Sequence, residues 1–257
     1  MRLATTLACV LLSGTVACTS FSSDSTPPDA GVPAAAEGGA DAQQPAAPDA
    51  GEPSTLDAGL LARWRFDDGA GVIAKNDVTT APSGAITNAT WGMGKLGGAL
   101  VFDGVSSLVK VAGSPTLDVT TAFTLAVWVN VAHLDTNTGQ RFLSQGPLDF
   151  KLNVARPQLS ISGNNYVSST FTLPENEWHH ITAVYADGDA RIYVDGIETS
   201  LVENTIKGGA GFAPQPGPLW IGVREGASSF FNGRIDDVRM WNRGLSTAEV
   251  AALYTAQ

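Results

Sequence analysis

Two adjacent carboxylates, Asp236 and Asp237, lie in "GRIDDVRMW", a run that otherwise alternates like a half-buried strand. Strand parity puts Asp236, Val238 and Met240 on one face and Ile235, Asp237, Arg239 and Trp241 on the other. With Val238 and Met240 facing a core, Asp236 is expected to point inward and Asp237 to meet Arg239 or solvent. Replacing Asp236 should therefore cost more stability than replacing Asp237. An ionised carboxylate aimed inward needs hydrogen bonds, a counter-charge or a cation. Two compensations are open: backbone N–H groups or an arginine, or a hard ion such as Ca²⁺, which takes roughly six to eight oxygen ligands.

Other chemistries have weaker footing. "PENEWHH" carries Glu175 and Glu177 two residues apart, as paired glycosidase acids on one strand face would be. They follow a proline at a turn and no third acid continues the spacing, so they read as solvated turn residues. "GMGKLG", Gly92 to Gly97, has dinucleotide-loop spacing, but "GALVFDG" continues it as a strand where such a loop must open a helix. "DGDARIYVDGIE" places acids at several EF-hand positions, yet Ile192 stands where glycine must make the turn. His179 and His180 are neighbours and point to opposite strand faces, and His133 is isolated, so a zinc site is not expected. No G-x-S-x-G elbow is present.

Charge and cysteines narrow the class further. The formal charge of −10 is concentrated between Asp24 and Asp57, a stretch with seven acids and no Lys or Arg. The remainder has no basic stripe, which argues against nucleic acid as a partner. Both cysteines, Cys9 and Cys18, fall in the first eighteen residues, so the body of the chain must be stable without a disulfide. "MRLATTLACVLLSGTVAC" has the grammar of an export signal and is too short to span a bilayer as a helix. Small residues before Cys18 resemble a bacterial lipobox, with Thr15 departing from its usual leucine. Residues 1–18 are thus read as a lipoprotein-type signal, with Cys18 lipidated and the protein exported to the cell envelope. On this reading the membrane is met only through the lipid anchor. Residues 19–57, rich in Pro, Ala, Gly, Ser and Asp, are expected to be a disordered spacer.

From residue 58 to 257 about a dozen short apolar runs alternate with Gly-, Asn-, Asp- and Pro-containing turns. This pattern predicts an all-β, two-sheet antiparallel jelly-roll sandwich. Asp195-Gly196 marks a two-residue hairpin, and Ser246 with Glu249 marks a capping box opening a short C-terminal helix. Asp103 before Gly104 reads as a turn residue. Trp64, Phe66, Phe102, Trp128, Trp178 and Trp241 read as core, and the "HLDTNTG" and "SGNNYVSS" loops are better placed for recognition.

The ordered series "LLARWRFDDGAG", "GKLGGALVFDG", "FTLAVWV", "EWHHITAVY", "RIYVDG", "PLWIGV" and "FFNGRIDDVRMWNRGLSTAEVAALY" resembles the LamG-like jelly-roll domain of the concanavalin A-like lectin and glucanase fold. The resemblance implies a binding module in place of an enzyme, with a glycan or cell-surface protein as partner. It also implies a structural Ca²⁺ where the first and last strands lie side by side, with Asp236 as the first ligand and Asp67 of "FDDG" as the next. A structural envelope protein without free ligand and a divergent glycoside hydrolase are the alternatives.

Overall fold

The computed structural model describes residues 56–135, 139–162, 164–206, 217–226 and 228–256. The expected export signal at residues 1–18, with Cys18, and residues 19–55 of the expected spacer lie outside the described residues. Leu56 is already docked, its carbonyl accepting a hydrogen bond from Trp241 Nε1 at 2.7 Å.

Seventeen strands are described. They are β1 (Leu60–Trp64), β2 (Ile73–Ala74), β3 (Gly84–Thr87), β4 (Thr90–Met93), β5 (Gly98–Asp103), β6 (Leu108–Val111), β7 (Phe123–Val131), β8 (Gln140–Gln145) and β9 (Leu148–Asn153). Then follow β10 (Arg156–Ser162), β11 (Asn165–Ser169), β12 (Trp178–Ala186), β13 (Asp189–Val194), β14 (Ile197–Glu198), β15 (Leu201–Asn204), β16 (Leu219–Ile221) and β17 (Asn232–Trp241). One sheet runs β14-β13-β12-β7-β17-β5-β4, with β1 also paired to β17; the other runs β15-β11-β10-β9-β8-β16-β6-β3-β2. Among the described residues every strand pairing within each sheet is antiparallel, so the two-sheet sandwich expected from the apolar runs is the observed architecture.

Alternation builds the core. In β7, Phe123, Leu125, Val127, Val129 and Val131 enter the inter-sheet core, while Thr124, Ala126 and Trp128 face outward. That outer face is also dry. Helix α1 (Thr247–Thr255) lays Val250 and Leu253 against Ala126, Val184, Tyr193 and Trp241. The predicted capping box is present: Ser246 Oγ accepts from Glu249 N, and Glu249 Oε2 accepts from Ser246 N at 2.8 Å. Asp195 and Gly196 both have positive φ, as the tight hairpin between β13 and β14 requires.

The first and last strands do lie together. β1 takes Val238–Trp241 of β17, and β5 takes Asn232–Ile235 of the same edge. The two strands therefore meet end to end along β17, and the junction falls at Asp236 and Asp237. Phe66, at φ 58°, turns the chain off the edge just after β1. Gly98 opens β5 so close to Phe66 that a Cβ there would sit 2.4 Å from the Phe66 carbonyl oxygen. Only glycine tolerates that approach.

Candidate functional site

Parity fails across this junction. On the other edge of β17, Asp236 opposes Trp128 and Arg239 opposes Ala126, so Asp237 and Val238 together oppose Val127. That is a β-bulge, with Asp237 at φ 44°. The extra residue exchanges odd and even positions: Ile235 before the bulge and Val238 and Met240 after it all enter the core. Asp236 therefore does not share the face of Val238 and Met240 as the alternation predicted. It lies on the Trp128 side of the sheet, outside the inter-sheet core.

Asp236 is nevertheless fully buried, at 0% exposure, because the β4–β5 turn folds over it. Leu96 N donates to Asp236 Oδ2 at 2.9 Å, and Gly94 lies so near that a Cβ would meet that oxygen at 2.6 Å. Lys95 extends over the Trp128 ring at 5.0 Å, a cation–π contact that helps hold the turn down. Asp236 Oδ1 is buried and has no hydrogen-bond partner. Burial, opposed by the Leu96 amide and reinforced by the charges of Asp237 and Asp67, pushes this carboxyl up to about 7.

Asp237 has the opposite fate. It is 2% exposed, yet Arg63 Nε and Nη2 donate to its two oxygens at 2.7 and 3.2 Å, and Arg239 donates as well. Although burial opposes it, these guanidinium hydrogen bonds hold Asp237 below the usual carboxylate range. The expected Asp237–Arg239 pair is present, but Asp237 is not the dispensable member of the doublet. The deciding partner, Arg63, is 174 positions away.

Asp67 stands beside Asp236, its Oδ1 accepting from Gly98 N at 2.6 Å. A cavity of about 330 Å³ is lined by Arg63, Arg65, Asp67, Leu96, Gly97, Asp236 and Asp237. The structure thus brings the two anticipated ligands together. Asp68 instead pairs with Lys75 at 3.0 Å. The donor set fits a hard cation in one respect: Asp236 presents a buried oxygen that nothing satisfies. Among the described residues, however, no cluster of three or more His, Cys, Asp or Glu side chains could hold a metal. Backbone carbonyls and water would have to complete any shell. The lining guanidiniums are already matched, Arg63 by Asp237 and Arg65 by Asp77 at 2.5 Å.

The remaining candidates have structural employment. Glu175 Oε1 accepts from Leu134 N at 2.8 Å and so braces a loop, while Glu177 is 68% exposed. Asp103 accepts from the amides of Val105, Ser106 and Ser107, the predicted turn; desolvation is the largest single influence and opposes them, but those bonds together hold it well below the usual range. Trp64, Phe66, Phe102, Trp128 and Trp241 are buried, and Trp178 is half-buried. The covering turn around Leu96 and the Arg63 partner were not anticipated. Their local signal was the glycine spacing of "GMGKLGG", which the fold uses for close approach to two carboxylates.

A two-sheet antiparallel sandwich with one short C-terminal helix defines the class of fold. The sequence matches the family described as the concanavalin A-like lectin/glucanases superfamily over residues 103–251, more than half of the chain, and the chain belongs to it. Domain 4 of an extracellular arabinanase from Geobacillus stearothermophilus, solved with arabinotriose, superposes with TM-score 0.60 at 19% identity, covering 76% of this chain and 98% of that one. The binding domain of Paraclostridial Mosquitocidal Protein 1 gives 0.62 at 14% identity, over 78% of this chain and 53% of that one. A Trypanosoma rangeli sialidase mutant displaying trans-sialidase activity gives 0.60 at 20%, over 78% of this chain but only 33% of the sialidase. The superpositions, at identities this low, establish a shared fold alone. No curated protein sequence matches significantly.

Proposed function

We propose that this protein is a non-catalytic binding module of the bacterial cell envelope, exported, tethered through lipid at Cys18, and directed at carbohydrate. The observation that carries the reading is coverage: the chain spans nearly all of an arabinanase domain that holds arabinotriose, so the likeness is to an entire sugar-holding unit. Two further features support it. Glu175 is committed to bracing a loop, and Glu177 stands in solvent without the enclosure that tunes a glycosidase acid.

Within this reading Ca²⁺ is the cation that Asp236 and Asp67 would hold, with backbone oxygens and water completing the shell. When bound, it supplies positive charge to a desolvated carboxylate and cross-links the β1 end to the β4–β5 turn. The protein's own part is to bury Asp236 under Leu96, fix Asp67 on the Gly98 amide, and reserve Asp237 for Arg63 and Arg239.

The test is a glycan array probed with the mature, full-length chain, with and without EDTA. Retention on a defined set of glycans, weakened by chelation, is the expected result. Retention by none of them, or release of sugar from a bound polysaccharide, would overturn the reading.

A further inference from the structure

A second cavity, of about 250 Å³, opens at the end of the sheet where β5 and β7 finish and β17 begins. It is lined by Gly104, His133, Leu134, Asp135, Phe230 and Asn232, with Gln140 at its base. We propose that this pocket seats the ring of a neutral sugar; the proposal rests on the carbohydrate reading above and assigns its site.

The chain is built to present these groups. Phe231 is fully buried, so alternation leaves Phe230 and Asn232 together on the other side of the extended chain, both half-exposed. Gly104, at φ 77°, clears the space for Asn232: a Cβ there would come within 2.9 Å of the Asn232 side chain. Among the described residues nothing hydrogen-bonds the Asn232 side-chain amide, which therefore offers both a donor pair and an acceptor to the pocket.

The walls are fixed from behind. Gln140, 2% exposed, uses both ends of its amide: Nε2 donates to the His133 carbonyl at 2.6 Å, and Oε1 accepts from Asn232 N at 2.9 Å. Glu175 Oε1 holds Leu134 N at 2.8 Å and lies 3.5 Å from His133 Nδ1. Backbone bonds from Gly104 N to Phe231 O and from Ala132 N to Asn232 O, both 3.0 Å, join the three segments. Recognition groups on loops anchored this way lose little freedom on binding.

The chemistry selects the ligand. A half-exposed aromatic ring beside the Asn232 amide suits the apolar C–H face and a flanking hydroxyl of a sugar. Among the described residues no lysine or arginine lines the cavity, and His133 already faces Glu175 Oε1 at 3.5 Å, so an acidic sugar would find no unmatched cation there. The volume falls below the ~300–1,000 Å³ of drug-sized sites, room for one ring and not a chain.

The experiment compares mature wild-type chain with Asn232→Ala, Phe230→Ala and the distant Glu203→Ala on a glycan array, followed by calorimetric titration with the best-retained neutral oligosaccharide. The expected result is at least a tenfold loss of affinity for Asn232→Ala and Phe230→Ala, with melting temperature and Glu203→Ala affinity unchanged. Should Phe230→Ala not fold, chemical-shift changes at the Asn232 side-chain amide of wild type during titration decide the matter. Undiminished affinity in the pocket variants, a silent Asn232 amide, or preference for acidic glycans would refute the pocket while leaving the carbohydrate reading standing. No glycan bound by wild type would overturn both.

Discussion

Replacing Asp236 by asparagine removes the charge while keeping the shape and the carbonyl that accepts from Leu96 N. In chelator the wild-type carboxyl binds its proton far more tightly folded than unfolded, moving from 3.8 to about 7. The folded state therefore gains relative stability at low pH and loses it as pH rises from about 4 through 7, with no further change above. At ~1.4 kcal/mol per pKa unit the loss has a ceiling of about 4 kcal/mol, and water in the adjoining cavity reduces it to roughly 2–4 kcal/mol. For a domain of this size that corresponds to about 5–12 °C in melting temperature. Thermal melts of wild type and Asp236→Asn at pH 5 and pH 8, with EDTA and with millimolar Ca²⁺, provide the assay; the difference between the chains isolates Asp236 from other titrating groups. Asp236→Asn should exceed wild type modestly at pH 5 in EDTA, where less than half of the loss has accrued, exceed it by the full margin at pH 8, and ignore calcium, whereas calcium should restore wild type at pH 8. A wild-type-minus-variant difference that is the same at both pH values would refute the buried-carboxylate argument. A calcium-insensitive wild type would refute the ion.

Asp237→Ala should destabilise by about 3–5 kcal/mol in urea unfolding, because it strands Arg63 and Arg239 against a buried position; an effect under about 1 kcal/mol would show that the pair is dispensable. His180 is buried against Trp128 and Tyr254, and desolvation aided by the Arg239 charge lowers it from 6.5 to about 4. Its contribution is fully present above pH 6.5 and is lost as pH falls toward 4, by at most about 3 kcal/mol; an imidazole NMR titration with a midpoint near 6.5 would contradict this. Cys18→Ser should abolish incorporation of labelled fatty acid in the native host and release the protein from membranes. Labelling that persists would place the anchor elsewhere.

Much of the fold was legible because its determinants are local. Alternation in "FTLAVWV" assigns alternate side chains to the core, Asp195-Gly196 supplies the hairpin, and Ser246 with Glu249 starts the helix, each within a few residues of chain. The pairing of Asp236 with Asp67 was also anticipated, since the family resemblance brings the first and last strands together. What the sequence alone could not supply was the consequence of β1 and β5 meeting on one edge of β17. The bulge falls at that junction, and it exchanges the two faces between Ile235 and Val238. A side-chain period of two is read correctly only while the register is unbroken, and the break is set by partners more than a hundred residues away. The same distance hid Arg63 behind Asp237 and gathered Gly104, His133 and Asn232 into one pocket. Local chemistry wrote the strands; only their packing decided which acid is neutralised and which is left with an unsatisfied oxygen.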